Sequence, residues 1–289
     1  MIHKINNNKV YISVDTMGAE LRSLCDVHGL EYLWQGGEKW NQQSPVIFPI
    51  VGKPKDFKYI YGGKEYEIAN HGFAMTKEFK VAQKRSDKLV LRLREDEETY
   101  KSYPFMFTLD MCFELHDDSL TVRFIVTNND EKDMPYSLGG HPGFRVPLES
   151  DEKFEDYYLL FDHIENCPAP YLTRFMTAEP TEFIPVLENT DRWNLKHENF
   201  HRGVLVLEHL KSRGVKLLSS VSGRGLRMDF EDFDNLALWQ QSDADYICLE
   251  PWTSPGSFSD PSGLIVKRKG MRILKPHETV DYKYTVTLL

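Results

Sequence analysis

Cysteine is scarce in these 289 residues, and Cys25, Cys112, Cys167 and Cys248 lie far apart with no CxxC pair among them. Zinc ribbons, redox dithiols and disulfide frameworks all depend on tighter or paired spacing, so none is expected. Each cysteine stands beside apolar residues, and the expectation is four reduced, mostly buried thiols in a cytoplasmic protein. Long hydrophobic runs are missing as well. The first nine residues, Met1 to Lys9, contain no apolar leader core, and no uninterrupted apolar stretch could cross a bilayer, which argues against a membrane partner. Positive charge is also short. The formal net charge is -9, and the longest cationic run is Val266-Lys267-Arg268-Lys269, which reads as a solvated strand end. A nucleic-acid partner, which needs a basic face to neutralise phosphates, is excluded on that balance.

Convincing helical periodicity over three turns is absent, as are internal repeats, low-complexity tracts and a Pro/Ser-rich linker. What is present is period-two alternation. It runs through Lys9 to Val14, Phe105 to Leu115, Leu120 to Val126 and Val280 to Leu288, with His116-Asp117-Asp118-Ser119 supplying turn residues between the second and third. Gly203 to Leu207 reads as a partner of Val215 to Ser219, and Ser222 to Gly225 as a turn into Leu226 to Phe230. Hydrophobic residues at 41% and charged residues at 27% allow a sizeable core. The expected architecture is all-β, a large antiparallel β-sandwich or barrel, with residues 1–289 as one domain. Pro168 to Asn199 has the weakest periodicity and reads as long connections of the kind that line a binding face.

Three stretches lock polar side chains among glycine, proline and aromatic residues. In Gly139-Gly140-His141-Pro142-Gly143-Phe144 the glycines permit close backbone approach and the proline restricts the chain leaving the histidine. An imidazole held in this way is a candidate acid or base near neutral pH. Asn70-His71-Gly72-Phe73 sets out a second histidine, which by itself is more often structural than functional. Glu250 follows the apolar Tyr246-Ile247-Cys248-Leu249 and precedes Pro251-Trp252, placing a carboxylate at a buried strand end beside an indole. Desolvation there raises a carboxyl pKa toward the range of a general base, although a strand-end glutamate bonded to backbone amides is the competing reading. Phe48-Pro49-Ile50-Val51-Gly52-Lys53 reads as a buried strand carrying Lys53 to a pocket rim, with a solvated strand-end lysine as the commoner alternative. Trp252, Trp34, Trp239 and Phe48 offer flat faces to a sugar ring, or plain core.

In this order, the Phe48–Lys53, His71–Ala74, Gly139–Phe144 and Glu250–Trp252 motifs resemble the aldose 1-epimerase (galactose mutarotase) superfamily, and within it the LacX-like branch, from about residue 10 to the carboxyl terminus. The resemblance implies a mutarotase-like supersandwich with an open cleft, no cofactor and no metal, acting on a free hexose such as galactose or glucose. It implies Glu250 as the base on the anomeric hydroxyl, His141 as the acid on the ring oxygen, and His71, Lys53 and Trp252 as substrate-binding residues. Two departures stand out: Met75 and Lys53 occupy positions where relatives carry arginine, and Phe200 to Val206 lacks an acidic residue often found there. Mutarotation needs an acid and a base, expected on opposite sides of the ring, whereas a glycosidase needs a second constrained carboxylate that is not seen. A non-catalytic carbohydrate-binding or sensing protein on the same fold is the alternative. Without an arginine fork, neutral aldoses are expected over sugar 6-phosphates, unless Lys53, Lys55 and Lys77 converge. The sequence does not specify an oligomeric state.

Overall fold

Leu120, Val122, Phe124 and Val126 are buried while the residues between them are half-exposed, so the strand Ser119–Asn128 presents one apolar face. The computed structural model describes residues 1–171, 182–241, 243–256 and 262–289. In it this strand pairs antiparallel with Phe107–His116 through the expected hairpin, where Asp117 takes the left-handed conformation (φ 48°). Its other edge pairs with Thr279–Leu288, joining the end of the chain to its middle.

Two sheets dominate. A nine-stranded antiparallel sheet runs in the order Phe183–Asn194, Tyr157–Pro170, Gly214–Ser219, Gly225–Asp229, Thr279–Leu288, Ser119–Asn128, Phe107–His116, Lys88–Arg94, Lys80–Lys84. A six-stranded sheet runs Leu205–Glu208, Asn235–Trp239, Tyr246–Trp252, Gly139–Gly140, Val46–Ile47, with Gly143–Arg145 also paired to Tyr246–Trp252. One apolar cluster joins them: Leu109, Met111 and Phe124 from the large sheet meet Leu205, Leu207, Leu236, Leu238, Ile247 and Leu249 from the smaller one. This is the all-β antiparallel sandwich that the alternation implied. Helix is confined to short turns such as Glu97–Ser102, capped by Asp96 accepting from the Thr99 amide.

Three local expectations need correction. Leu205–Glu208 and Gly214–Ser219 do not pair with each other. The first joins Asn235–Trp239 in the small sheet, and the second lies between Tyr157–Pro170 and Gly225–Asp229 in the large one. Alternation identifies a strand without identifying its partner, and here the chain changes sheets at a corner where buried Ser212 bonds to the buried carboxylate of Glu165. Most of the described part of Pro168 to Asn199 is not loop: Phe183–Asn194 pairs with Tyr157–Pro170, while 172–181 falls outside the described residues. Register shifts after Leu160, Glu165 and Cys167 break the period of two, and an edge strand buries little, so the pattern faded from the sequence. Finally, Val266 to Lys269 is no strand end. Ile265–Lys267 makes one 3-10 turn, and Arg268 is buried, with 5% of its surface exposed. The four thiols are free, three of them buried and Cys25 partly so. No helix among the described residues is long and apolar enough to cross a membrane.

Candidate active site

All seven residues of Tyr246–Trp252 are buried, because this strand is covered on both faces. Ile247 and Leu249 enter the core between the sheets. Cys248, Glu250 and Trp252 alternate to the opposite face, so the carboxylate expected at a buried strand end does sit there, away from the main core. Gly139 lies opposite Trp252 and Gly143 opposite Cys248. Carried across the gap, that register brings His141 opposite Glu250, and Nε2 of His141 stands 3.2 Å from Oε2 of Glu250.

The glycines around His141 are required by close approach, as their clustering suggested. A Cβ on Gly139 would stand 2.4 Å from Trp252 Cδ1 and 2.7 Å from the Pro251 carbonyl oxygen. One on Gly143 would meet the Trp40 ring at 2.6 Å. Larger residues would hold the His141 segment off the Glu250 strand. The Leu249 amide donates to the Pro142 carbonyl at 3.2 Å, closing the segment on its far side.

His71 comes from a different part of the chain and is clasped by backbone. It adopts φ 62°, its amide donates to the Gly52 carbonyl at 2.8 Å, and its own carbonyl accepts from the Phe48 amide at 3.3 Å. In return the Gly52 amide donates to His71 Nδ1 at 3.2 Å. The imidazole lies 5.8 Å from both the His141 ring and the Trp252 ring, centroid to centroid. Trp40 stacks on His141 at 5.2 Å and Trp239 meets it edge-on at 5.6 Å, fixing the plane of the imidazole.

These groups line a cleft of about 360 Å³, together with Gln42, Pro45, Asn70, Met75 and Val204. Burial drives the Glu250 carboxyl well above the ordinary range. It lowers His141 to about 3, with His71 adding to the effect, and lowers His71 to about 4, with the Arg268 charge adding to it. Burial thus favours the neutral form of both imidazoles. His141 Nδ1, Glu250 Oε2 and Trp252 Nε1 are buried and make no well-aligned hydrogen bond, although Oε2 lies 3.2 Å from His141 Nε2. Such atoms suit a hydroxylated ligand, because leaving them unpaired is costly. His141, Cys248 and Glu250 place one potential metal-ligand atom each within 4.8 Å of one another. Burial holds both the Cys248 thiol and the Glu250 carboxyl toward their protonated forms, whereas metal ligation needs them ionised.

Of the residues singled out from sequence, Glu250, His141, His71 and Trp252 converge on the cleft. Lys53 does not line it; its Nζ lies over the Phe57 ring at 5.4 Å. Lys55 lines a separate recess with Lys58, and Lys77 is bound by Glu98 and Asp96. The three lysines therefore do not converge. Trp239 and Trp252 offer the expected aromatic faces, whereas Phe48 is core and Trp34 packs on Tyr246. Sequence reasoning missed Trp40 and Gln42. A tryptophan within the polar Lys39-Trp40-Asn41-Gln42-Gln43 was the available signal, since a large apolar side chain in such a loop needs a reason to be there.

The fold has counterparts among solved structures. A galactose mutarotase related enzyme from Lactobacillus acidophilus superposes with a TM-score of 0.93 at 28% identity, covering 100% of this chain and 97% of that one. A galactose mutarotase-like protein from Lactobacillus casei gives 0.91, again at 28% identity, with both chains covered completely. The plasmid and chromosomal LacX proteins of Lactococcus lactis are each 34% identical over 298 aligned residues that span 100% of both chains. The family model for aldose 1-epimerase matches residues 1–285, the span that contains every cleft residue above. With Glu250, His141 and His71 facing one another inside this fold, the chain belongs to the aldose 1-epimerase family.

Proposed function

We propose that this protein interconverts the α and β anomers of a free, neutral aldose, with Glu250 and His141 as the proton-transfer pair. The observation that carries the reading is the 3.2 Å approach of His141 Nε2 to Glu250 Oε2 at the buried end of a cleft walled by indoles. The anomeric hydroxyl and the ring oxygen are bonded to the same carbon, so two groups 3.2 Å apart can reach both.

In the forward half-reaction the Glu250 carboxylate takes the proton of the anomeric hydroxyl while the His141 imidazolium protonates the ring oxygen. The bond between C1 and the ring oxygen breaks and its electron pair goes to that oxygen, while C1 becomes an aldehyde carbon. Rotation about C1–C2 presents the other carbonyl face. The ring hydroxyl then attacks, returning its proton to His141, while Glu250 returns its proton to the new anomeric oxygen. Atoms and electrons balance without a co-reactant. The pair carries one proton before and after, either as carboxylate and imidazolium or as neutral acid and neutral imidazole. Burial favours the neutral form and the mutual attraction favours the ionic one, and proton transfer between them leaves the net charge of the cleft unchanged. His71 and the Trp252 and Trp239 faces orient the sugar.

Polarimetry or NMR of freshly dissolved α-glucose and α-galactose, with and without protein, tests the reading. Accelerated equilibration is expected, and Glu250→Gln should bind sugar yet lose at least about a hundredfold in rate, the ordinary contribution of a general base. Sugar binding without any acceleration would make this a carbohydrate-binding protein on an epimerase fold. Near wild-type turnover by Glu250→Gln would remove Glu250 from the chemistry.

A further inference from the structure

Behind the cleft wall formed by His71, Arg268 is buried with 5% of its surface exposed, a position that arginine seldom takes. Its guanidinium faces backbone carbonyls. Nη1 donates to the Lys53 oxygen at 3.0 Å, and Nη2 donates to the Val51 oxygen at 2.7 Å and to the Gly256 oxygen. The fork therefore grips the carbonyls of the two residues flanking Gly52, the Val51 oxygen belonging to the same peptide as the Gly52 amide, a reach that the planar guanidinium has and a lysine ammonium lacks. Gly52 itself is left-handed (φ 68°), and a Cβ there would lie 2.0 Å from the Gly256 oxygen. Gripped in this way, Gly52 presents its amide and carbonyl to His71 in a two-point clasp, at 3.2 Å to Nδ1 and 2.8 Å from the His71 amide. A backbone amide can only donate, so Nδ1 must be the unprotonated nitrogen of a neutral ring.

We propose that Arg268 is a positioning residue that sets the tautomer of His71 through the Gly52 peptide, leaving the ring's single proton on Nε2 as a fixed hydrogen-bond donor to a sugar oxygen. Neutrality is maintained by burial and by the Arg268 charge, which together lower the His71 pKa to about 4. The other titratable groups toward which the ring looks are His141 and, beyond it, Glu250, and neither places a charge on the cleft when the pair is in its neutral form. A histidine free to change tautomer would offer a lone pair as readily as a proton, and the sugar would lose one oriented contact. Trp252 shares this wall, so the donor is held at a fixed angle to the indole face.

The kinetic consequence rests on the aldose reading, whereas the tautomer is read without any substrate. Long-range proton–nitrogen NMR of the imidazole nitrogens in ¹⁵N-histidine-labelled protein, with His71→Asn supplying the assignment, should show His71 as the pure Nε2–H form near pH 7. Arg268→Lys and Arg268→Met should give mixed tautomers and raise KM for the aldose about tenfold, the weight of one oriented hydrogen bond, while kcat changes much less. Gly52→Ala disturbs the clasp with Arg268 still in place and should do the same, so the relay is testable even if the arginine variants fail to fold. An Nδ1–H tautomer in the wild type overturns the proposal, and so does a pure Nε2–H spectrum with unchanged KM in a folded Arg268 or Gly52 variant. If no aldose is bound or turned over, the spectra still decide the tautomer assignment.

Discussion

In the proposed mechanism His141 and Glu250 share one proton, and the expected pH dependence follows from what it takes to change that number. Adding a second proton means charging His141, which burial and His71 push down from 6.5 to about 3. Removing the only proton leaves a lone buried carboxylate, which burial disfavours by pushing Glu250 well above its ordinary range. The one-proton state therefore spans neutral pH. A kcat/KM profile is expected to be flat over about pH 5 to 8, with no break near the value of a free imidazole. A clear acid limb near pH 6.5 would show that His141 titrates by itself, in solvent-like surroundings. The two histidines should also separate kinetically. His141→Asn removes the group 3.2 Å from Glu250 and is expected to cut kcat by about a hundredfold or more. His71→Asn removes an orienting contact and is expected to act mainly on KM. A larger kcat loss in the His71 variant would exchange their roles.

Secondary elements position these residues through glycine. The short strand Gly139–Gly140 lies against Tyr246–Trp252 because no side chain intervenes at Gly139, and at Gly143 the missing side chain makes room for the Trp40 ring that stacks on His141. Gly139→Ala would place a methyl group 2.4 Å from Trp252 Cδ1 and 2.7 Å from the Pro251 carbonyl oxygen, the second being backbone that cannot easily move. It should destabilise the protein by about 1–3 kcal/mol, as overpacking does, and lower kcat as His141 moves off Glu250. Chemical denaturation and polarimetry on the same sample check both, and an unchanged rate would mean that the segment is not held by this contact. The Gly-Gly-His-Pro-Gly stretch was legible as a rigid histidine mount because glycine and proline act locally. The strand partners were less legible. Leu205–Glu208 looked like half of a hairpin with Gly214–Ser219, yet the two lie in different sheets, because partner choice depends on distant strands that bury the same core.

At the scale of the whole molecule, charge and cleft chemistry point to an uncharged substrate. The net charge is -9, and no lysine or arginine is among the described residues lining the cleft. A sugar 6-phosphate brings nearly two negative charges and would meet neither an arginine fork nor favourable long-range steering. Glucose or galactose should exceed its 6-phosphate in kcat/KM, and a preference of about tenfold or more for the phosphate, about 1.4 kcal/mol of transition-state stabilisation, would overturn this. By itself the sequence determined the fold class, since period-two alternation, the absence of long helical patterns and regular turn signals are local properties. It also determined the candidate proton-transfer residues, because each sits among glycine, proline or apolar neighbours that mark a constrained position. Only the tertiary structure decided which constrained residues meet. The register between Gly139–Arg145 and Tyr246–Trp252 set His141 against Glu250, and the backbone clasp from Gly52 turned His71 toward them. It placed Lys53 over Phe57 instead of in the cleft, brought Trp40 in from a polar loop, and buried Arg268 from a run that looked solvated. The reason is the same in each case: where a side chain ends up depends on which distant backbone it can satisfy, and that is not encoded in its sequence neighbours.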